Sequence, residues 1–154
     1  MDLHLHRLGW QEEAEKLRQA QPRSFLFLCV HNAARSQMAE GIARQLAPAG
    51  VSVYSAGSRP SRVHPEAVQV MREIGVDISG QRSKGLDEVP ADEIEAVVTL
   101  CAEEICPLFL SRAMQVHWAI TDPAAQTGNE AERLDAFRQA RDMLRERLAR
   151  VFEG

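Results

Sequence analysis

The feature that most constrains this chain is an apolar run that leads into a short polar loop and then into a helical pattern. Residues 24–28 are typical of a buried strand, and Cys29 follows them directly. Beyond the loop, apolar residues recur at helical spacing, at Met38, Ile42 and Leu46. Because the start of a helix combines free backbone N–H groups with a favourable dipole, this strand–loop–helix unit predicts an anion site.

The loop has the pattern Cys-x5-Arg-Ser, from Cys29 to Ser36. Its length allows the backbone to curl around a tetrahedral oxyanion, with the Cys29 thiol at the bottom and the Arg35 guanidinium at the rim. Arginine suits that position because its planar fork donates two parallel hydrogen bonds to an oxyanion. The same positive surroundings favour the thiolate, which is the nucleophilic form of cysteine. The residues predicted to bind the oxyanion are Val30, His31, Asn32, Ala33, Ala34 and Arg35.

The spacing by itself is a weak signal, because a buried strand cysteine followed by a surface arginine produces the same pattern. The context favours function, since the cysteine ends a β-prone run and the loop passes directly into a helix. Asn32 stands in the middle of the loop, and asparagine tolerates the left-handed backbone that a tight cradle needs. We therefore interpret the segment as an oxyanion loop with Cys29 as its nucleophile.

Size and composition limit the classes of protein to consider. The chain has 154 residues and a net charge of −4, which suits a single globular domain and gives no reason to expect a nucleic-acid partner. No apolar run reaches membrane-spanning length and no signal peptide is evident, so we expect a cytoplasmic protein with no membrane partner. The odd count of three cysteines argues against a static disulfide framework and favours a redox, metal-binding or catalytic role.

The patterns beyond residue 23 alternate between strand and helix. This alternation predicts an α/β fold, a four-stranded, doubly wound parallel sheet with helices on both faces. Residues 1–23 form a predicted helical extension, with Trp10, Ala14 and Leu17 on one face, ahead of a domain at 24–154. The predicted strands are Ser24–Val30, Val51–Ser55, Ala96–Leu100 and Met114–Trp118, and predicted helices begin at Ala34, at Pro65 and after the capping-box residue Asn129.

Three reactive side chains follow predicted strands. Cys29, Cys101 and Asp122 should therefore share the carboxyl edge, where parallel sheets bind ligands. Cys106 follows Cys101 closely enough for a disulfide within a turn or short helix. A zinc site would need two further ligands, and the chain has no second cysteine pair to supply them. Alternatively, Cys101 and Cys106 are simply two small apolar residues buried in the core. Asp122 is either a general acid or the start of an Asp-Pro turn.

Together these residues resemble the thioredoxin-coupled arsenate reductases of the low-molecular-weight tyrosine phosphatase superfamily. The resemblance covers about residues 24–150 and implies the phosphatase-like fold of that superfamily. The matching stretches follow the order of the chain and are CVHNAARSQMAEG at 29–41, Tyr54–Gly57, Asp77–Ser79, Val97–Cys101, Cys106-Pro107 and His117–Ala124.

The resemblance implies roles for the residues around the loop. The Cys29 thiolate would attack arsenate held by the loop N–H groups and Arg35. The Ser36 hydroxyl would hold the thiolate, and Asp122 would act as the general acid that protonates the departing oxygen. The same loop would support some phosphatase side activity.

The resemblance also implies a relay of three cysteines. Cys101 would attack the sulfur of Cys29 and release arsenite, and Cys106 would then move the disulfide to Cys101–Cys106. Thioredoxin would reduce that disulfide as the external reductant, with no bound cofactor and no metal. We expect a monomer that detoxifies arsenic.

Two departures from the family pattern bear on the site. Many relatives carry glycine where His31 stands, so this loop has less backbone freedom. Some relatives hold a potassium ion with residues that correspond to Asn32, Glu40, Ser55 and an acidic residue, whose position Lys84 occupies here. A lysine paired with Glu40 would replace the ion, and we expect little stimulation by potassium.

Three other functions stay open at this point. A low-molecular-weight phosphatase would use Cys29, Arg35 and Asp122, but Ala124-Ala125 lacks the aromatic side chains that a phosphotyrosine ring would meet. A module that senses oxyanions or thiols would make residues 1–23 a contact for a regulator. A reductase recycled by mycothiol, or by glutathione with glutaredoxin, would not need the pair Cys101 and Cys106.

Overall fold

The protein is built around a parallel sheet of four strands in the order β2-β1-β3-β4. The computed structural model describes residues 3–102, 109 and 111–153, with side chains from residue 9 onward. The strands are β1 Ser24–Cys29, β2 Ser52–Gly57, β3 Ala96–Thr99 and β4 Met114–His117, and the α-helices are α1 Leu3–Ala20, α2 Arg35–Leu46, α3 Pro65–Arg72 and α4 Glu130–Phe152. The predicted parallel α/β fold is confirmed.

Each predicted strand is present, the starts of β1, β3 and β4 are as predicted, and the other bounds differ by one or two residues. β1 ends one residue early, because the carbonyl of Val30 leaves the sheet and accepts from the backbone N–H of Arg59 at 2.8 Å. β2 starts one residue late and continues to Gly57, whose N–H donates to the Lys84 carbonyl at 2.9 Å. The predicted ends of β3 and β4 and the predicted start of α2 also move by one residue.

Helices cover both faces of the sheet, as predicted, but they differ in kind. The α-helices of the described residues pack on the face that carries Phe25 and Phe27. Leu26 and Leu28 point to the opposite face, as the two-residue period of a strand requires. Burial on both faces explains why the strand is a continuous apolar run. The second face is covered by short 3-10 helices at Leu86–Glu88 and Ala91–Glu93.

Two helix starts follow the capping signals in the sequence. α3 begins at Pro65, and the Nδ1 atom of His64 accepts from the Glu66 N–H at 3.2 Å. At α4, the Asn129 side chain accepts from the Glu132 N–H at 2.9 Å, and the Glu132 carboxylate accepts from the Asn129 N–H at 3.3 Å. The predicted capping box is therefore confirmed.

The amino-terminal helix α1 packs along α4. Ala14 and Leu17 are fully buried, and the Arg147 guanidinium carbon lies 5.5 Å from the centre of the Trp10 ring. The three residues predicted to share one face thus form the contact with the rest of the protein. None of the helices in the described part of the chain is long and apolar enough to cross a membrane.

Candidate active site

The oxyanion loop lies at the carboxyl edge of the sheet, between Cys29 at the end of β1 and Arg35 at the start of α2. Gly57 at the end of β2 approaches it so closely that an added Cβ would clash with the carbonyl of Val30 and with two further backbone atoms of the loop. Asn32 has a φ of 49°, the left-handed conformation expected of it. The curl of the loop therefore depends on a glycine beside it and an asparagine within it.

The segment between β2 and α3 holds the loop from outside. Three of its backbone N–H groups donate to loop carbonyls, namely Arg59 to Val30 at 2.8 Å, Ser61 to His31 at 3.2 Å and His64 to Ala33 at 2.9 Å. A trans peptide points its N–H opposite to its C=O, and the described residues contain no cis peptide. The N–H groups that follow these carbonyls therefore point away from the outer segment, as an anion cradle requires.

The Cys29 side chain is a free thiol with 2% exposure. Its Sγ atom lies 2.8 Å from Ser36 Oγ, and the same Oγ atom accepts from Asn32 Nδ2 at 2.7 Å. A thiolate can only accept a hydrogen bond, so Ser36 is the donor in this pair when Cys29 is ionised. A hydrogen bond donated to sulfur favours the thiolate over the thiol. Ser36 thus has the geometry that its expected role needs.

The buried Arg35 guanidinium joins the loop to the two segments that follow β3 and β4. Its Nη1 atom donates to the carbonyls of Ile120 at 2.9 Å and Leu100 at 3.4 Å. Its Nη2 atom lies 3.8 Å from Asp122 Oδ2. The planar fork of arginine can reach these acceptors at once, which the compact ammonium of lysine cannot do.

Asp122 starts a turn and also faces Arg35. Its Oδ1 atom accepts from the Ala124 N–H at 3.0 Å and so caps the 3-10 helix Pro123–Ala125, while Oδ2 faces Arg35. A cavity of about 30 Å³ is lined by Cys29, His31, Ala33, Ala34, Arg35, Asp122 and Ala124. The structure thus gathers the candidate nucleophile, arginine and acid around one cavity. Val30 and Asn32, which were also predicted to bind the oxyanion, do not line it.

Cys101 emerges beside the loop from the neighbouring strand. Leu28 pairs with Thr99 between β1 and β3, so Cys101 lies one residue beyond the level of Cys29. Cys101 is as buried as Cys29, but it is disulfide-bonded whereas Cys29 is free. The expectation for Cys106 lies outside the described residues. Within the described ranges, no group of three or more His, Cys, Asp or Glu side chains is placed to hold a metal ion.

Lys84 lies where the sequence placed a substitute for a bound cation. Its Nζ atom is 3.4 Å from Glu40 Oε1, 3.5 Å from Ser55 Oγ and 2.6 Å from the Arg82 carbonyl. Glu40 is 3% exposed, and it also accepts from Ser55 Oγ at 2.5 Å and from Arg44 Nε at 3.0 Å. The buried carboxylate is therefore paired with two cationic side chains.

Two glutamines behind the loop were not singled out from the sequence. The fully buried Gln37 donates from Nε2 to the Asn32 carbonyl at 3.0 Å, to Asn32 Oδ1 at 2.9 Å and to the Arg82 carbonyl at 2.9 Å. Gln81 donates from Nε2 to Gln37 Oε1 at 2.7 Å. Gln37 follows the Arg-Ser pair directly, which is a weak sequence signal for a role at the loop. Gln81 is 44 residues away from Gln37, and its position in the sequence gives no such signal.

Comparisons with known proteins identify the family of this chain. The family model for the low molecular weight phosphotyrosine protein phosphatase matches residues 24–154. An arsenate reductase of Halalkalibacterium halodurans is 42% identical over 124 residues, which are 79% of this chain and 89% of the relative. A glutaredoxin arsenate reductase of Synechocystis sp. is 36% identical over 82% of this chain and 93% of the relative.

The chain is also similar to solved structures of arsenate reductases. An arsenate reductase in its phosphate binding state has a TM-score of 0.72 and 34% identity, covering 85% of this chain and 97% of that one. A thioredoxin-dependent arsenate reductase of Corynebacterium glutamicum has a TM-score of 0.58 and 25% identity, covering 88% of this chain and 67% of that one. The residues that the family model matches include the sheet and the loop that carries Cys29.

Proposed function

The chain belongs to the low molecular weight phosphotyrosine protein phosphatase family, and on that premise we propose that it is an arsenate reductase supplied with electrons by thioredoxin. The observation that carries the proposal is a free thiol in an oxyanion loop next to a disulfide-bonded cysteine at the same sheet edge. A phosphatase needs the loop thiol but has no use for the disulfide.

The first step is an attack by the Cys29 thiolate on arsenate. A sulfur–arsenic bond forms while an arsenic–oxygen bond breaks, and Asp122 protonates the departing oxygen, which leaves as water. The loop N–H groups and Arg35 hold the remaining oxygens and their negative charge. Support comes from the cavity that the Cys29, Arg35 and Asp122 side chains line together.

The next steps move electrons from sulfur to arsenic. The Cys101 thiolate attacks Cys29 Sγ, a disulfide forms, and the electron pair of the sulfur–arsenic bond leaves with arsenic as arsenite. Cys106 then attacks Cys101 and frees Cys29, so that two thiols are oxidised while arsenic gains two electrons. A bonded Cys101 with a free Cys29 corresponds to the end of this sequence, before thioredoxin reduces the protein.

The proposal includes a reductant that is external to the protein. Names of relatives point to both glutaredoxin and thioredoxin as reductants. We favour thioredoxin because an internal cysteine pair delivers a protein disulfide, which is the substrate of a dithiol reductant. The enzyme would act as a monomer in the reducing cytoplasm and detoxify arsenic, with no bound cofactor.

A phosphatase is the second candidate, because the same loop and Asp122 suit phosphate ester hydrolysis. One set of assays separates the candidates. Arsenate-dependent NADPH oxidation is measured with thioredoxin and its reductase, and in parallel with glutathione, glutaredoxin and glutathione reductase. Hydrolysis of p-nitrophenyl phosphate is measured on the same protein.

We expect sustained turnover with the thioredoxin system, little with the glutaredoxin system and slow ester hydrolysis. Turnover confined to the glutaredoxin system would contradict the choice of reductant. Ester hydrolysis without any arsenate reduction would assign the protein to the phosphatases instead.

A further inference from the structure

We propose that Gln37 and Gln81 are positioning residues for the nucleophile. Acting through Asn32 and Ser36, they set the direction of the hydrogen bond that reaches the sulfur of Cys29. The inference rests on Cys29 being the reactive thiol of the proposed function. It concerns side chains behind the loop that do not line the cavity.

The orientation of the Gln37 amide is fixed by backbone groups. One end of this amide lies 3.0 Å from the Asn32 carbonyl and 2.9 Å from the Arg82 carbonyl. Because a carbonyl oxygen can only accept a hydrogen bond, the nitrogen must occupy that end. The Gln37 oxygen therefore points the other way, towards Gln81.

Gln81 holds that orientation from the outer end of the chain of amides. Its Nε2 atom lies 3.0 Å from the backbone carbonyl of Gln37 and 2.7 Å from Gln37 Oε1. The backbone carbonyl again requires nitrogen at this end, so Gln81 donates and Gln37 Oε1 accepts. Rotation of the Gln37 amide would place its nitrogen against a donor and its oxygen against two carbonyls.

The Asn32 amide is held by donors on one side only. Its Oδ1 atom accepts from Gln37 Nε2 at 2.9 Å and from the Lys84 backbone N–H at 2.8 Å. Its Nδ2 atom must therefore face Ser36 Oγ, which it does at 2.7 Å. Ser36 Oγ accepts that bond through an oxygen lone pair, so its hydrogen is available to Cys29 Sγ, which lies 2.8 Å from Oγ.

A reversed Asn32 would change what Cys29 meets. The asparagine oxygen would then face Ser36 Oγ and take the hydroxyl hydrogen, which would leave the sulfur without a donor from Ser36. Asn32, Ser36 and Gln37 are all fully buried, so water cannot replace a missing partner. Without Gln37, only the Lys84 N–H would hold Asn32 in its working orientation.

The experiment measures the reactivity of the thiol itself. The full-length chain with Cys101→Ser and Cys106→Ser leaves Cys29 as the one cysteine, and its alkylation by iodoacetamide is followed from pH 5 to pH 9, a range that spans about two units either side of neutrality. The variants are Gln37→Leu, Gln81→Met and Gln81→Glu. The matched control is Gln139→Met, which removes a glutamine that donates to Asp135 on the exposed face of α4.

We expect Gln37→Leu to lower the alkylation rate at neutral pH about tenfold, and Gln81→Met about threefold, with the midpoint of the rate–pH curve moved to higher pH. Gln81→Glu should slow alkylation at least as much as Gln81→Met, because a carboxylate offers Gln37 only acceptors. Gln139→Met should react at the rate of the protein that carries only Cys101→Ser and Cys106→Ser. The titratable and charged residues that line the cavity with Cys29, namely His31, Arg35 and Asp122, are the same in every variant.

Melting curves identify which variants are folded. Folded Gln37→Leu and Gln81→Met proteins that alkylate at the control rate would overturn the proposal. A Gln81→Glu protein with unchanged reactivity would do so as well, because a role in packing alone tolerates a substitution of equal size. If Gln37→Leu does not fold, the two Gln81 variants decide. No arsenate is needed, so a failure of the proposed function leaves this result readable.

Discussion

The oxyanion loop and the contact between α1 and α4 are both buried, but by opposite kinds of interaction. Behind the loop, Asn32, Ser36 and Gln37 are buried polar side chains joined by hydrogen bonds, and the buried Glu40 accepts a hydrogen bond from Ser55. Such bonds are directional, and a buried polar group without a partner is costly. The loop therefore depends on the orientation of each amide and hydroxyl group.

The α1–α4 contact is held by apolar burial. Ala14 and Leu17 are fully buried there, whereas the ion pair between Glu15 and Arg18 on the same helix is exposed. Apolar contacts are not directional and scale with the area removed from water. The difference teaches that substitutions near the loop should alter reactivity, whereas substitutions at the α1–α4 contact should alter stability and leave reactivity unchanged.

The largest expected effect is at Arg35. Arg35→Lys keeps the positive charge but loses the fork that reaches Leu100, Ile120 and Asp122. We expect kcat/KM for arsenate to fall roughly a hundredfold or more, because one preorganised donor to a developing charge contributes about that much. The measurement is initial rates over a range of arsenate concentrations, with Arg18→Lys as the exposed control. A fall of less than about threefold would show that charge alone suffices there.

The α1–α4 contact is tested by Leu17→Ala. Removing a fully buried leucine side chain should lower the free energy of unfolding by about 2–4 kcal/mol. The rate per folded molecule should not change, because Leu17 does not line the cavity. Urea titration and arsenate reduction are measured on the same samples, with the exposed Gln19→Ala as control. A lower rate in fully folded protein would remove the distinction between the two regions.

Lys84 gives a smaller effect that sharpens the comparison. The unmodified protein should reduce arsenate at equal rates in potassium and sodium salts of matched ionic strength, because the ammonium group already lies beside Glu40 and Ser55. Lys84→Asp would restore an acidic residue there, and we expect the variant to gain several-fold stimulation by potassium. Lys16→Asp on α1 serves as the control. A several-fold stimulation of the unmodified protein would contradict the prediction.

The smallest effect is expected where α3 meets α4 at the surface. Hydrogen bonds from Arg138 and Arg141 lower the pKa of Glu73 from 4.5 to about 2. Because the pKa of Glu73 is lower in the folded than in the unfolded protein, its ionised form stabilises the fold at pH values above the unfolded pKa. This stabilisation should be lost as the pH falls from 4.5 towards 2. Since the Glu73 side chain is 36% exposed, the contribution should stay below about 1 kcal/mol.

Glu73→Gln tests this expectation through the difference in Tm from the unmodified protein. The difference should be present at neutral pH and should shrink steadily as the pH falls through the acid range. Glu12→Gln, at an exposed position on α1, is the control and should show no such trend. A difference that stays constant with pH would mean that ionisation of Glu73 does not contribute.

Local patterns in the sequence predicted most of the fold. Apolar runs marked the strands, Pro65 marked the start of α3 and the Asn129 capping box marked the start of α4. The ends of strands were less predictable because distant residues set them. β2 continues to Gly57 because that residue pairs with Cys29 of β1 and donates its N–H to the distant Lys84 carbonyl.

The sequence also predicted where the site lies, but not all the residues that support it. The shared edge of Cys29, Cys101 and Asp122 follows from one principle, that residues after parallel strands meet at one edge. The roles of Gln37 and Gln81 could not be predicted, because they depend on which backbone carbonyls and N–H groups lie opposite each amide. That information exists only once the loop and the segment at 81–84 are folded together.

The central claim is that this protein reduces arsenate through three cysteines in turn. Its most direct test is arsenate-dependent NADPH oxidation with thioredoxin and thioredoxin reductase, measured for the unmodified protein and for Cys106→Ser. The account predicts continuous turnover of the unmodified protein and no turnover beyond a single cycle in the variant, which cannot pass its disulfide on. Continuous turnover by Cys106→Ser, or no arsenate reduction by the unmodified protein, would contradict it.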